Sequence, residues 1–357
     1  MGTKQSLPQV SEPLPTVEDW GQPPAVVPEN ERDATELVLQ SWATCKAKPS
    51  PARYYRSEGE ENERRASVLW RKRTSFIELD CGEDSFFVSN TYKVLGIADG
   101  VGGWAESGVD SSVFSNGLME NAKLYCETHR SELDPEVIMN NAFDKLVRDK
   151  RVTSGSSTVC IAALRNEGAK HFLDVANLGD SGLLIVRNNA VHHRVHEKVH
   201  SFNAPFQLAI LPPAFQGRAF SDKVSDCLRE SVEVKSGDVV IMGTDGLFDN
   251  RFNSQLAADA GAMGDNQETI LGVPVSGVFL LPFLSGKNLE RNDPFRIAQR
   301  ILSETTKTSL SKDADCPWSD LLQHYGAKDA KGGKPDDITV LLSKVTTREN
   351  LSLSTIW

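Results

Sequence analysis

The sequence of 357 residues has no long uncharged apolar run and no apolar segment near its N-terminus. A membrane-spanning helix needs about 18 or more such residues, and a secretory signal needs an apolar core. The most apolar stretch, Ile270 to Leu284, is interrupted by prolines and glycines. The first thirty residues of the chain contain four acids and no arginine, which disfavours a mitochondrial address. We therefore expect a cytoplasmic protein without a spanning helix.

A basic surface and a metal-binding cysteine spacing are absent as well. The formal net charge is −10, so we expect no nucleic-acid partner, because sequence-independent binding needs excess positive charge. The six cysteines are scattered and include no C-x-x-C pair, which argues against a zinc site or a disulfide framework. We expect reduced thiols at all of them: Cys45, Cys81, Cys126, Cys160, Cys227 and Cys316.

Residues 1–73 have the composition of a flexible N-terminal tail. The first thirty are rich in proline and poor in bulky aliphatic residues, so they cannot bury enough surface to offset the entropy of ordering. From Asp33 to Lys46, apolar residues at helical spacing follow a capping aspartate, which predicts a short helix. The start of the chain fits the N-myristoylation pattern, so Gly2 is a lipidation candidate that would give peripheral membrane contact.

We expect one folded domain over residues 74–346 and a second tail over 347–357. Short strands bounded by turn residues alternate there with a few helices, which predicts an α+β fold with antiparallel sheets. Predicted strands cover residues 76–79, 85–89, 94–98, 157–164, 172–176, 182–186, 238–243 and 338–343. Predicted helices follow the capping residues Asp110, Asp134 and Asp293. Residues 177–181 are predicted to form a hairpin loop with an acid at its tip.

Acidic residues recur where the predicted strands begin or end. The strand Val94 to Ala98 ends on Asp99 and a glycine-rich turn, and the same pattern returns at Asp245. Each acid alone is better explained by turn formation, but together they form a set: Glu83, Asp84, Asp99, Asp180, Asp245, Asp336 and Asp337. Carboxylates without accompanying histidine or cysteine are oxygen ligands that favour Mg²⁺ or Mn²⁺ over zinc. The set predicts a site for one or more hard cations.

Five motifs in order resemble the metal-dependent protein phosphatase family, type 2C (PPM). They are Gly82-Glu83-Asp84, Ala98-Asp99-Gly100-Val101-Gly102-Gly103, Leu178-Gly179-Asp180-Ser181, Gly243-Thr244-Asp245-Gly246-Leu247-Phe248-Asp249 and Pro335-Asp336-Asp337-Ile338-Thr339-Val340. The form Asp-Gly-Val-Gly-Gly-Trp, with residues 202–208 further on, is most similar to the branch containing the T-cell-activation phosphatase. The resemblance covers residues 74 to 346.

The resemblance implies a four-layer α-β-β-α sandwich, in which two antiparallel sheets are flanked by helices. It implies phosphoserine and phosphothreonine in proteins as substrates, hydrolysed by water activated between two Mn²⁺ or Mg²⁺ ions. Asp99 would bridge the two ions, with Asp99 and Asp245 counted as catalytic. The further implied ligands are the carbonyl of Gly100 and the side chains of Glu83, Asp245 and Asp336. Asp84 and Asp337 would hold metal-bound waters, and Asp180 with Asp245 would bind a third ion.

Two positions depart from the family pattern. Val101 stands where many members have a histidine that protonates the leaving group, so the general acid is unassigned. Leu79 stands where the phosphate-binding arginine is usual, and Arg71, Lys72 or Arg73 are the alternatives from the linker.

Two alternatives to the main interpretation stay open, and so do the roles of two other segments. A pseudophosphatase would keep the fold as a binding module without turnover, and a phosphatase for small phosphoesters would use the same metals. His192, His196 and His200 share a spacing that fits either a zinc site or a polar surface loop. The apolar insertion at about 261–293 either folds back on the core or serves as a substrate-recognition flap or membrane-contacting segment.

Overall fold

The computed structural model describes residues 36–49, 79–131, 133–263, 274–275, 278–279 and 294–351. Four predictions therefore lie wholly or mostly outside the described residues: the tail with Gly2, the basic residues 71–73, the strand 76–79 and the apolar insertion. Among the described residues, no helix combines the length and the apolar character that crossing a membrane requires.

Most described strands belong to two antiparallel sheets. The first sheet has the order β1-β16-β13-β7-β8 and the second the order β12-β6-β5-β3-β2. The strands are β1 (Leu37–Lys46), β2 (Asp84–Val88), β3 (Val94–Asp99), β4 (Gly155–Ser157), β5 (Val159–Glu167), β6 (Lys170–Leu178), β7 (Gly182–Arg187), β8 (Ala190–Arg194), β9 (Val199–Ser201), β10 (Ala204–Pro205), β11 (Leu208–Ile210), β12 (Leu228–Glu233), β13 (Val239–Gly243), β14 (Pro274–Val275), β15 (Val278–Phe279) and β16 (Ile338–Thr347). The pairs β4–β11, β9–β10 and β14–β15 form small ladders of their own.

Helices cover the outer face of each sheet. They are α1 (Ser111–Thr128), α2 (Pro135–Asp149), α3 (Asp245–Phe248), α4 (Asn253–Ala260), α5 (Pro294–Leu310) and α6 (Pro317–His324). Short 3₁₀ turns occur at Gly102–Ser107, Pro213–Phe215, Val224–Asp226, Gly261–Met263 and Arg348–Asn350. The side chains of Asp110 and Asp134 accept hydrogen bonds from the first backbone N–H groups of α1 and α2, as the sequence predicts.

Two hydrophobic clusters hold the layers together. One lies between the sheets and includes Leu95 and Ile97 of β3 with Leu183 and Ile185 of β7. The other lies between the first sheet and its helices, while α1 and α2 pack on the second sheet. The four-layer sandwich predicted from the resemblance is therefore confirmed, and Asp99 lies at the end of a strand whose other side chains are buried.

The helix predicted from Asp33 to Lys46 is wrong, because residues 37–46 form strand β1. This strand pairs along its whole length with β16, from Leu37 opposite Thr347 to Lys46 opposite Ile338. Leu39 packs between the sheets and Trp42 packs under the helices, so both faces of β1 are buried. A strand buried on both faces loses the alternating pattern, and its apolar residues then fit helical spacing as well. Residues 36–49 therefore belong to the folded domain.

The expectation of six reduced thiols is also wrong, since Cys45 and Cys81 form a disulfide. The two residues are 36 positions apart in the sequence, but their Cα atoms lie 5.1 Å apart. The neighbouring N–H of Ala47 donates to the carbonyl of Asp80 at 2.9 Å, which shows that strand β1 leaves the sheet alongside this turn. The spacing of the two cysteines along the chain could not show that they lie close together. Cys45 comes near the turn that contains Cys81 only because strand β1 pairs with β16.

The loop at 177–181 does not close a hairpin. Strand β6 belongs to the second sheet and β7 to the first, so the chain crosses from one sheet to the other between them. The side chain of Asn177 donates to the carbonyl of Ser181 at 2.9 Å and secures the crossing. Asp180 therefore lies at the junction of the two sheets, where the other acidic residues also meet.

Candidate metal centre

Asp84 and Asp99 face each other at the ends of paired strands. They are direct partners in the register of β2 and β3. Asp84 is 1% exposed, and its Oδ2 accepts hydrogen bonds from the hydroxyls of Thr244 at 2.9 Å and Thr339 at 2.7 Å. Its Oδ1 is buried and has no hydrogen-bond partner. One carboxylate oxygen is thus fixed by two threonines, and the other is left for a further ligand.

Glu83 and Asp337 are joined through the backbone. The N–H of Glu83 donates to Asp337 Oδ2 at 3.0 Å, and the N–H of Lys48 donates to Asp337 Oδ1 at 2.8 Å. Glu83 Oε1 accepts from the hydroxyl of Ser111 at 2.9 Å, at the start of α1. Three separate segments of the chain therefore fix these two acids in place.

Glycine is required at Gly246, beside this pair of acids. A Cβ atom built there would overlap the carbonyl oxygen of Asp337. The close approach brings helix α3, which begins with Asp245, against the start of β16, which follows Asp336 and Asp337.

Lys48 extends its ammonium group into the acidic cluster. Nζ lies 2.9 Å from Glu83 Oε2, 2.9 Å from Asp336 Oδ1 and 3.4 Å from Asp337 Oδ2. Burial lowers the pKa of Lys48, but these three carboxylates outweigh burial and raise it. The lysine side chain is 31% exposed, so it lies at the solvent-facing side of the cluster.

Lys334 enters the cluster from a second direction. Its ammonium group contacts Asp245, lies 2.9 Å from Asp249 Oδ2 and 3.4 Å from Asp336 Oδ2. This side chain is only 13% exposed. Asp336 thus contacts both lysines, one through each of its oxygens.

The pKa directions show how crowded the negative charges are. Burial, followed by the nearby Asp84 and Asp245, holds the pKa of Asp99 well above its usual range. Burial and Asp245 raise the pKa of Asp180 in the same way. Such groups resist ionisation unless a cation compensates them.

Asp245 and Asp249 respond differently to the same lysine. Burial raises the pKa of Asp245, but the ammonium of Lys334 more than offsets it, and the net shift is downward. For Asp249, burial prevails over Lys334 and raises the pKa to about 7. Asp245 is therefore the carboxylate that this lysine keeps ionised.

The donor set fits divalent cations. Within the described part of the chain, no three Asp, Glu, His or Cys side chains already have the arrangement of metal ligands. Two ammonium groups instead lie among the carboxylates that belong to the five acidic motifs. Asp84 Oδ1 and Asp245 Oδ1 are buried without hydrogen-bond partners, as expected of oxygens with room for a cation or its water. Oxygen-only donors of this kind suit Mg²⁺ or Mn²⁺.

The residues predicted for the metal site lie in this region, whereas the lipidation candidate Gly2 lies outside the described residues. Gly100 continues directly from Asp99, its N–H donates to the carbonyl of Glu83 at 3.1 Å, and it bridges to Ser157. Asp180 is linked to the group through its electrostatic interaction with Asp245 and Lys334.

Sequence reasoning missed Lys48, Lys334 and Asp249. Lys48 was part of the predicted linker, and only its strand pairing brings it here. Lys334 directly precedes the Pro335-Asp336-Asp337 motif, and Asp249 ends the motif that begins at Gly243. Their positions within or beside these motifs were the available signals.

The histidines do not form a site of their own. His193 Nε2 lies 2.5 Å from Glu230 Oε2, while His200 Nε2 lies 3.0 Å from Asp222 Oδ2 and stacks on Phe206. These histidines lie on different strands and contact different acids. Of the three predicted residues, His192 and His200 belong to strands β8 and β9, while His196 lies in the loop between them and contacts Glu230 as His193 does. The arrangement supports the surface interpretation over zinc.

Comparison with known proteins agrees with this geometry. No protein-family model matches the chain. The protein phosphatase PTC7 homolog of Xenopus laevis is 35% identical over 267 residues, which cover 74% of this chain and 81% of that protein. The human PTC7 homolog is 36% identical over 267 residues, covering 74% of this chain and 79% of that protein. The photosystem II phosphatase PBCP has a similar fold, with a TM-score of 0.60 and 24% identity, covering 86% of this chain and 99% of that chain.

The relatives at 35% and 36% identity show that the chain is a protein phosphatase, and the sandwich with acids at the sheet junction agrees with the PPM (type 2C) class. Its sequence relatives are more specific, since curated proteins similar to it include PTC7 homologues. The chain therefore belongs to the PPM protein phosphatase family, among relatives of the PTC7 type. The expected branch containing the T-cell-activation phosphatase is not tested by these names and stays a prediction.

Proposed function

We propose that the protein hydrolyses phosphoserine and phosphothreonine in proteins at a centre of two Mn²⁺ or Mg²⁺ ions. One observation carries the proposal: carboxylates from the five acidic motifs meet at one end of the two sheets, around the ammonium groups of two lysines. The phosphatase names of the relatives support the reaction class. The proposed ligands are the Gly100 carbonyl and the carboxylates of Glu83, Asp99, Asp245 and Asp336, with Asp180 at a third ion.

When bound, the ions would activate water and neutralise charge on the phosphoryl group. The residues around them have supporting tasks that the contacts define. Ser111 orients the carboxylate of Glu83. Thr244 and Thr339 hold the carboxylate of Asp84 through Oδ2, so that its other oxygen, Oδ1, stays available to an ion or its water. The backbone N–H groups of Lys48 and Glu83 hold Asp337. Fixing carboxylates in this way reduces the reorganisation that binding would otherwise require.

The ammonium of Lys48 lies on the solvent-facing side of the acidic cluster. We assign to it the task of binding the phosphate of the approaching substrate. Arg71, Lys72 and Arg73, which we predicted as candidates for this task, lie outside the described residues, and that prediction stays untested. The partial exposure of Lys48 and its contacts with Glu83 and Asp336 support this assignment. Val101 offers no proton, so we assign protonation of the leaving oxygen to solvent within the site.

The location is part of the proposal. We propose that the protein works in the cytoplasm and contacts membranes peripherally if Gly2 is acylated. Intact-mass measurement of protein from a eukaryotic host tests the acylation, since an unmodified mass for Gly2 would remove the membrane contact.

The test of the activity is phosphate release from a phosphothreonine peptide, with Mn²⁺, with Mg²⁺ and with EDTA. We expect metal-dependent turnover in the native protein and a loss of at least about 100-fold in Asp245→Asn. Circular dichroism confirms that the variant is folded. Metal binding by calorimetry without any turnover would replace the proposal by a pseudophosphatase. Turnover of p-nitrophenyl phosphate but of no phosphopeptide would replace it by a small-molecule phosphatase.

A further inference from the structure

Three aromatic residues from two distant segments form a surface beside the acidic cluster. Phe202 lies on the turn between β9 and β10, while Trp318 and Tyr325 lie on α6 and at its C-terminal cap. The ring centroid of Phe202 is 5.4 Å from that of Trp318 and 4.8 Å from that of Tyr325. We call these three residues the aromatic platform.

The platform faces solvent. Tyr325 is 60% exposed, and Leu321, between Trp318 and Tyr325 on the same helix face, is 36% exposed. None of the three rings belongs to the two hydrophobic clusters of the domain. Aromatic side chains that are held together but left open to water are typical of binding surfaces.

The platform is continuous with the candidate metal centre. The ammonium nitrogen of Lys334 lies 5.1 Å from the ring centroid of Trp318, and the same nitrogen contacts Asp245 and Asp249. The backbone N–H of Trp318 also donates to the carbonyl of Asp249 at 2.8 Å. A molecule that places a phosphate at the centre therefore has the platform directly beside it.

We propose that the aromatic platform binds an apolar side chain of the phosphoprotein substrate, two to four residues from the phosphorylated residue. The inference rests on the proposed function. An extended peptide advances about 3.4 Å per residue, so side chains at these positions reach from the centre across the three rings. Lys334 already covers Trp318 and is held by carboxylates, which leaves the exposed ring of Tyr325 and the half-buried ring of Phe202 for apolar contact.

The experiment compares phosphothreonine peptides that differ only at one flanking position, where each carries leucine, alanine or arginine. The full-length protein with Mn²⁺ is assayed beside Phe202→Ala and Tyr325→Ala, and p-nitrophenyl phosphate measures the centre without any flanking residue. Leu310→Ala is the matched control, because Leu310 is 52% exposed and lies at the end of α5.

We expect the native protein to prefer leucine over alanine by about tenfold in kcat/KM at one or more positions from two to four residues away. The preference should fall to about twofold or less in both platform variants and persist in Leu310→Ala. An equal rate for leucine and alanine peptides in the native protein would overturn the proposal, as would a preference that survives in both variants. A preference for arginine would assign the rings to a cationic side chain instead.

Two further outcomes distinguish a failure of this proposal from a failure of the proposed function. If no substrate is turned over, including p-nitrophenyl phosphate, the proposed function fails. Calorimetry with the same peptides then decides the platform, since leucine-dependent binding that is lost in Tyr325→Ala supports it and leucine-independent binding or no binding overturns it. A dimer in sedimentation experiments that Tyr325→Ala dissociates would show that a second copy of the chain covers the rings, and would also overturn it.

Discussion

The ammonium of Lys48 and the carboxylate of Asp336 lie 2.9 Å apart, although 288 positions separate the two residues in the sequence. The same lysine nitrogen lies 2.9 Å from Glu83. Two proposed metal ligands are thus occupied by a cation that belongs to the chain. A divalent ion that binds Glu83 and Asp336 has to compete with this ammonium group.

Lys48→Met is therefore expected to tighten Mn²⁺ binding. Removal of the competing charge leaves Glu83 and Asp336 free, and we expect the dissociation constant to fall by about three- to tenfold. Calorimetric titration of the metal-free protein measures the change. Lys46→Met is the control, because Lys46 is exposed at the end of the same strand and should leave the affinity unchanged. Weaker binding in Lys48→Met would show that the ammonium supports the ions instead of competing with them.

Lys334→Met should destabilise the metal-free protein by about 3 kcal/mol, because it leaves buried carboxylates without their cation. Asp245 and Asp249 are its partners, and the lysine side chain is 13% exposed. Urea unfolding in EDTA measures the loss, and added Mn²⁺ should reduce it. Lys307→Met, which breaks an exposed pair with Glu304, should change the free energy of unfolding by less than about 1 kcal/mol. Equal losses in the two variants would contradict this account of Lys334.

The stability of the metal-free protein should fall as the pH rises from about 4 to 7. Burial raises the pKa of Asp249 from 3.8 to about 7, so the folded state keeps this proton after the unfolded state has released it. A state that binds more protons is favoured at low pH, so the contribution is complete below pH 4 and lost by about pH 7. Unfolding in EDTA across this range measures the slope, which Asp249→Asn should reduce. A slope of the opposite sign would exclude a raised pKa for this group.

Gly246→Ala is expected to lower the free energy of unfolding by about 2–3 kcal/mol, because the new methyl group overlaps the carbonyl of Asp337. Gly103→Ala is the matched control. A Cβ at Gly103 meets no atom within 4 Å, and the variant should stay within about 0.5 kcal/mol of the native protein. Thermal or urea unfolding compares the two. If both variants are equally stable, the close approach of helix α3 to β16 is not tight.

The disulfide should stabilise the protein by about 4 kcal/mol through the loop that it closes, given the 36-residue separation of Cys45 and Cys81. Urea unfolding of Cys45→Ser/Cys81→Ser measures this, and thiol counting of the native protein verifies the bond. The buried free thiol of Cys126 is the control for reductant, since it has no bond to lose. Six titratable thiols instead of four after denaturation without reductant would show that the pair is reduced.

The parts of the site that were predictable are those written in short segments of sequence. Asp99 and Asp245 each follow a buried apolar strand, and local chemistry alone places an acid at the strand end. The helices after Asp110 and Asp134 were predictable for the same reason, because a cap and a helical face lie within a few residues of each other. The order of the five motifs then allowed the four-layer sandwich to be predicted from the family resemblance.

The parts that were not predictable depend on pairing between distant segments. Strand β1 has no alternation, because Leu39 and Trp42 are buried on opposite faces, so its own sequence fits a helix equally well. The position of Lys48 and the bond between Cys45 and Cys81 both follow from β1 joining β16. The loop at 177–181 was mistaken for a hairpin because nothing local shows that β6 and β7 belong to different sheets.

The place of β16 between β1 and β13 has a consequence for biosynthesis. Asp336 and Asp337 directly precede this strand, so the ribosome delivers them long after Asp99 and Glu83. Until β16 emerges, a nascent chain lacks two of the seven acids, Asp336 and Asp337, and its strands β1 and β13 lack their common neighbour. Chains that end before residue 336, through an early stop codon or proteolysis, would therefore lack phosphatase activity and could not dephosphorylate proteins without regulation. Their unpaired strand edges would make them targets for degradation.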